Sequence, residues 1–316
     1  MDLTQFMQVL ERSFNHDEAS FNVARCGKMG IAFPPDHLKH PRPPHRHPAC
    51  TLGKPISSSH VFQFDPYTFD HAGLYIDGDF SQGSVSVHQG GVQDQVKVNV
   101  TLLANHKKYL KQVVLSGFDS NGQYSVEVKR TGHRCHKNSD CIAFQVDVTF
   151  PAELKTYEGL AIHARQGKIG GSANLEFRQL TAGVGHGNIH FKTLRAKEIT
   201  LGVLHGSVQG NYEPASKLAA GALRGEVDVH VVPDDNVNIT AAAGVGSATV
   251  HLPGDKFKGT FFVHSWTGQP IVQASNPEDL HVTKFRYTFK EGYYNEKQGS
   301  RVVVNSKHGP ATAIFT

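Results

Sequence analysis

The residues best placed to do chemistry together are Asp228, His230 and His251. Asp228 and His230 stand two apart in the alternating run Glu226-Val227-Asp228-Val229-His230-Val231, so on an extended strand their side chains share one face. His251 takes the same place in a second alternating run, Ser247-Ala248-Thr249-Val250-His251-Leu252. If the two runs lie side by side, His251 stands one strand spacing from His230, about 4.8 Å. One carboxylate and two imidazoles can hold a metal ion or act as acid and base. No paired carboxylates recur nearby, and outward residues of a regular sheet are more often simply solvated. The same face carries His190, Gln209 and Thr249 in the column of Asp228, and Lys192, Asn211 and Gln273 in the column of His230 and His251.

The cysteines offer a second chemistry. Cys135 and Cys141 sit close together in the segment Arg130–Asp140 and its edge. They form a short disulfide clamp, worth roughly 2 kcal/mol for so small a ring, or stay as two thiols, or join His133 and His136 around a zinc ion. Adjacent Cys135 and His136 cannot easily face one ion, which weighs against the last. His37, His40, His45 and His47 with Cys50 form another possible metal set, but their spacing matches no closed zinc pattern. Two sequons, at Asn99 and Asn238, matter only on a secreted chain.

These residues are positioned by a repeat. Gly167, Gly187, Gly206, Gly225, Gly246 and Gly268 follow one another at 20, 19, 19, 21 and 22 residues, and Gly309 lies 41 further on, room for two more units. Self-similarity near 20 residues marks a stacked array of supersecondary units. After each glycine, apolar and polar residues alternate, a half-buried strand of period two. Each glycine suits a corner that needs positive φ or close packing against its neighbour. A second alternating run precedes most glycines, as in Ile199-Leu201-Val203. An antiparallel sandwich of hairpins is the competing architecture, but so small a drift over five periods favours a coil. The fold class predicted is all-β, a β-solenoid with hairpin extensions, Ile189, Val208 and Val227 forming an inward column.

Other segments flank the array. Residues 1–32 are read as an N-terminal helical segment, with Leu3, Phe6, Met7, Leu10 and Phe14 on one face of a helix over 2–15. That helix carries too little basic charge on its polar face for a membrane surface. Residues 33–56 read as a Pro/His-rich linker, regular structure resumes at Val61, and 57–316 form the β domain. Tyr124–Val128 and Ala143–Val148 read as the arms of one long hairpin. Leu280–Phe289 reads as a strand that turns at Glu291-Gly292, and Arg301–Phe315 as a last coil or cap.

Composition excludes some functions. Lys+Arg 32 against Asp+Glu 28 gives +4, nearly balanced and with no basic stripe, which leaves no basis for nucleic-acid binding. The 20 histidines would add positive charge below about pH 6.5. No apolar run approaches the roughly 20 residues of a membrane span, and no signal peptide is visible. The only aromatics placed near corners are Trp266 and Tyr212, thin support for a saccharide-binding face.

The recurrent turn, an Asn/His/Arg-Gly-Ser/Glu/Asn-Ile/Val step between two aliphatic strands, resembles the adhesin-like family. These are bacterial and fungal domains of unknown function built as single-stranded right-handed β-helices. His205–Tyr212, Val250–Gly259 and the closing Lys307–Ala313 look especially similar to the fungal members, and the resemblance covers roughly 62–316. It implies a non-enzymatic binding or structural module at a cell surface or outside the cell, facing a cell-wall glycan or surface protein. It implies no cofactor, metal or catalytic residue. Many fungal members follow a Pro-rich stretch with a membrane span, and none is visible here. The alternative is a polysaccharide hydrolase or lyase built around Asp228, His230 and His251.

Overall fold

The computed structural model describes residues 55–91, 94–120, 122–131 and 141–316. The expected N-terminal helix, the linker up to residue 54 with its histidines and Cys26 and Cys50, and His133, Cys135 and His136 lie outside the described residues.

The described chain is all-β apart from one short α-helix and a 3-10 turn at Pro277–Asp279. In order it forms β1 (Ile56–Phe64), β2 (His71–Asp77), β3 (Gln82–Gly91), β4 (Val96–Ala104), α1 (Lys107–Leu110), β5 (Val113–Ser120), β6 (Gln123–Arg130) and β7 (Ile142–Pro151). There follow β8 (Thr156–Val231), β9 (Asn238–Val245), β10 (Ala248–Leu252), β11 (Gly259–Ser265), β12 (Pro270–Ala274), β13 (Leu280–Phe285), β14 (Phe289–Tyr294), β15 (Ser300–His308) and β16 (Ala311–Phe315). All sixteen belong to one mixed sheet. β1 already starts at Ile56 and pairs along its whole length with β4. Strand structure therefore begins at the last residue of the stretch read as the linker, where Ile56 pairs with Ala104.

The 76 residues of β8 would extend about 250 Å if straight. They fold back instead, because each repeat glycine brings one turn of chain onto the last. A Cβ on Gly187 would stand 1.7 Å from the carbonyl oxygen of Gly167, one on Gly206 1.7 Å from that of Gly187, and one on Gly225 1.7 Å from that of Gly206. Their φ angles, 147°, 140° and 143°, lie where L side chains are strained. Close approach and positive φ thus both demand glycine. Gly268 differs: it needs only the close approach, to Gly309.

Between glycines the alternation holds. Ile189, Val208 and Val227 are fully buried in one inward column, each worth roughly 1.5–3 kcal/mol of burial. Residues 217–224 of β8 pair in parallel with β9, and 227–230 pair in parallel with β10.

Three topological expectations are corrected. β6 and β7 are not one hairpin. β6 pairs antiparallel with β5 and parallel with β2, while β7 pairs antiparallel with β4 and parallel with β3. Both strands alternate, and alternation names the buried face without naming the partner. The β5–β6 connection ends in Gly122 at φ 80°, part of an Asn-Gly pair that signals a tight hairpin.

The C-terminal hairpin turns at Tyr287-Thr288, where Arg286 and Phe289 exchange backbone hydrogen bonds of 2.9 and 3.3 Å. Gly292 lies inside β14, because a Cβ there would meet the His281 carbonyl oxygen at 2.0 Å.

The last turn of chain is not a cap. β15 lies between β9 and β11, and β16 lies between β10 and β12. The final turn is intercalated, and the outer end of the sheet is the antiparallel pair β14–β13.

Candidate functional site

The geometry around Asp228 follows from two parallel strands. Val227, Val229 and Val231 of β8 and Ala248, Val250 and Leu252 of β10 are buried, so the residues between them face outward. The register sets Asp228 beside Thr249 and His230 beside His251. His251 Nε2 and Asp228 Oδ1 are 3.1 Å apart, with side chains 25% and 38% exposed. The His230 and His251 rings stack at 4.1 Å with 7° between their planes. One donor atom from each of the three lies within 4.8 Å of the others. Burial lowers the His230 pKa, and the adjacent His251 lowers it further against a smaller opposing pull from Asp228. The sequence pattern therefore brought these three residues together. Such a cluster can share a proton or hold a cation. It lies on an open strand face, where water is not excluded from a reacting bond.

The surroundings differ from expectation in three ways. The residue beyond His251 is Ile314 of β16, and Gln273 stands one row further out, because the last turn is intercalated. Glu226 faces outward two residues before Asp228 on the same strand, so a second carboxylate does lie nearby. Tyr212 is fully buried and donates its hydroxyl to the Gln209 carbonyl at 2.6 Å, so it presents nothing to solvent.

The remaining singled-out residues are scattered. Cys141 is buried and disulfide-bonded. Asn99 lies half-buried in the middle of β4, flanked by β1 and β7. Asn238 is exposed at the start of β9.

A second surface escaped the sequence reading. On the outer face of β11, Thr260, Phe262 and His264 alternate with the buried Phe261, Val263 and Ser265. β14 lies antiparallel beside it, pairing Thr260 with Tyr293, Phe262 with Glu291 and His264 with Phe289. Rings adjoin across the strands at Phe262 and Phe289, 5.6 Å apart, and along β11 and its end at Phe262 and His264, 6.0 Å, and His264 and Trp266, 6.0 Å.

Lys297 sits 5.3 Å from the centre of the Tyr293 ring and Arg286 5.6 Å from that of Phe289, cation–π distances that hold the rings in place. Trp266, just beyond β11, is 64% exposed. Thr260, Phe262, Thr283, Glu291, Tyr293 and Arg301 line a shallow depression on this face. The signal in the sequence was Phe262, His264 and Trp266 at every second position. That spacing alone does not reveal the surface, because the partner strand that completes it comes from a later hairpin.

No helix among the described residues is long and apolar enough to cross a membrane. No family model matches the chain, and no curated protein matches it in sequence. Among solved structures it is similar to a candidate cell adhesion protein from Clostridium sporogenes, at 12% identity over 83% of this chain and 100% of that one, with a TM-score of 0.34. It is also similar to candidate adhesins from Bacteroides fragilis, at 10% identity over 82% and 97% of the two chains with a TM-score of 0.30, and from Parabacteroides merdae, at 12% over 82% and 96% with a TM-score of 0.28. These neighbours are all bacterial, and likeness of this size carries no functional argument by itself.

Proposed function

We propose that this chain is a non-enzymatic, adhesin-like binding module. In this reading residues 57–316 wind as one right-handed β-solenoid closed by hairpins, and the protein works at a cell surface or outside the cell. The parallel registers and the stacked glycines support the winding. The observation that carries the function is the half-buried aromatic face of β11 and β14, with the exposed Trp266 at its edge. Its half-buried rings beside Thr260, Thr283, Glu291 and Arg301 suit a glycan, whose ring C–H groups pack on aromatic side chains while its hydroxyls take hydrogen bonds. The basic side chains of Lys297 and Arg301 at its rim, with Arg286 over Phe289, favour an acidic saccharide.

The test is a glycan and cell-wall binding array run beside a polysaccharide-cleavage screen. Binding that falls on Tyr293→Ala and Phe262→Ala, without turnover, supports the module. Turnover that disappears on Asp228→Asn would replace it with the hydrolase or lyase.

A further inference from the structure

We propose that Asp228, His230 and His251 form a binding site for one divalent cation of the zinc class, on the open outer face where β8 meets β10. This goes beyond the glycan-binding reading and does not depend on it.

The first argument is placement. Two residues at i and i+2 on one strand, with a third opposite the second on the neighbouring strand, form the corners of a small triangle on one face. Here the His230–His251 pairing sets that triangle directly. The second argument is distance. Tetrahedral zinc with bonds near 2.1 Å needs its donors about 3.4 Å apart. The Asp228–His251 edge is already 3.1 Å, and all three donor atoms lie within 4.8 Å. The parallel imidazoles, at 7°, carry their in-plane lone pairs side by side. Rotation of one ring about its Cβ–Cγ bond, at the cost of the stack, makes them converge.

The donor chemistry selects the ion. Two imidazoles and one carboxylate suit Zn²⁺, Ni²⁺ or Cu²⁺, whereas Ca²⁺ and Mg²⁺ prefer shells of oxygen. The electrostatics agree. Glu226 adds negative potential on the same strand face. On one flank the preceding turn contributes Gln209 and Asn211, since Gly225 stacks on Gly206 and Val232 bonds back to Tyr212. On the other flank β16 contributes Thr312 and Ile314. None of these four is charged, so no lysine or arginine on the flanking rows competes for Asp228. The fourth position opens to solvent and would hold water.

The experiment is calorimetric titration of the full chain with ZnCl₂, MgCl₂ and CaCl₂, run on wild type, Asp228→Asn and His251→Gln. Because the histidines of segment 37–47 can also take zinc, the site is read as a difference. The expected result is that each variant lacks one zinc equivalent, or holds it at least about tenfold more weakly. Zinc should also move the wild-type imidazole NMR signals of His230 and His251, and Mg²⁺ and Ca²⁺ should not. Should His251→Gln disturb folding, Asp228→Asn decides, since it keeps shape and removes only charge. Identical zinc isotherms in wild type and Asp228→Asn would overturn the site. A response to Mg²⁺ matching that to Zn²⁺ would overturn the assignment of the ion.

Discussion

Ser306 donates its fully buried hydroxyl to the carbonyl of Gly246 at 2.8 Å. The next glycine corner repeats the device: Ser265, also fully buried, donates to the carbonyl of Gly309 at 2.7 Å. These two bonds fasten the final turn between the turn of Gly246 and that of Gly268, against the order of the chain. Ser300 adds a third tie, accepting the Val237 N–H at 3.0 Å.

The intercalation predicts an unusual truncation phenotype. Deleting residues 300–316 removes a row with neighbours on both sides, so β11 and β12 lose their support along with β15 and β16. Thermal unfolding should move down by more than about 10 °C, since several kcal/mol of burial is lost. Ser306→Ala is the gentler probe. It leaves the buried Gly246 carbonyl without its hydroxyl partner and should cost about 1–2 kcal/mol by denaturant unfolding. A truncation that merely frayed the end would contradict the observed row order.

Gly206→Ala should destabilise severely, by about 3–5 kcal/mol, because it combines a strained φ with overlap of the Gly187 carbonyl. Gly90 is the control: its φ is 139°, but a Cβ there meets nothing within 4 Å. Gly90→Ala should therefore show only the dihedral cost, about 1–2 kcal/mol. Chemical denaturation of both variants measures the difference, and equal losses would mean that stacking of the glycines contributes nothing.

Acid should weaken the fold. Burial lowers the pKa of His163 and His264 below 6.5. His205 is lowered first by burial, then by His186 stacked on it at 4.6 Å and by Arg224. The unfolded chain therefore takes up protons before the folded one. Stability from these groups is present in full above about pH 6.5 and is lost as pH falls through that value towards the lower folded ones. Melting temperature should decline from pH 7 to pH 5, and His163→Gln should flatten the decline. His163 has a buried Nδ1 without a hydrogen-bond partner and stacks on Tyr75 at 5.8 Å.

Cys141 is expected to pair with Cys135. Alkylation of the unfolded, unreduced protein followed by mass spectrometry should leave these two of the four cysteines unlabelled, with Cys26 and Cys50 modified. Labelling of Cys135 would contradict the pairing and, with it, one reason to place the chain in an oxidising compartment.

On the aromatic face, Tyr293→Ala should weaken binding of an acidic glycan at least about tenfold, or about 1.4 kcal/mol. Trp266→Ala should act in the same direction, and Lys297→Ala should reduce binding most at low salt. Unchanged glycan binding in all three would remove this surface from the function.

Alternation along the chain determined which side chains face inward, as Ile189, Val208 and Val227 show. Glycine spacing determined where the chain turns and which residues share an outward column, and so brought Asp228, His230 and His251 together without coordinates. Both signals are local: a strand's period and a backbone's need for glycine are properties of a few consecutive residues. Which strand lies beside which was decided only by the tertiary structure. β7 takes β3 and β4 rather than β6, β16 separates His251 from Gln273, and Phe289 and Tyr293 return beside His264 and Thr260. Every alternating strand offers the same backbone donors and acceptors on both edges. The partner is therefore chosen by buried serines, close glycine contacts and whichever edge the rest of the chain has left free.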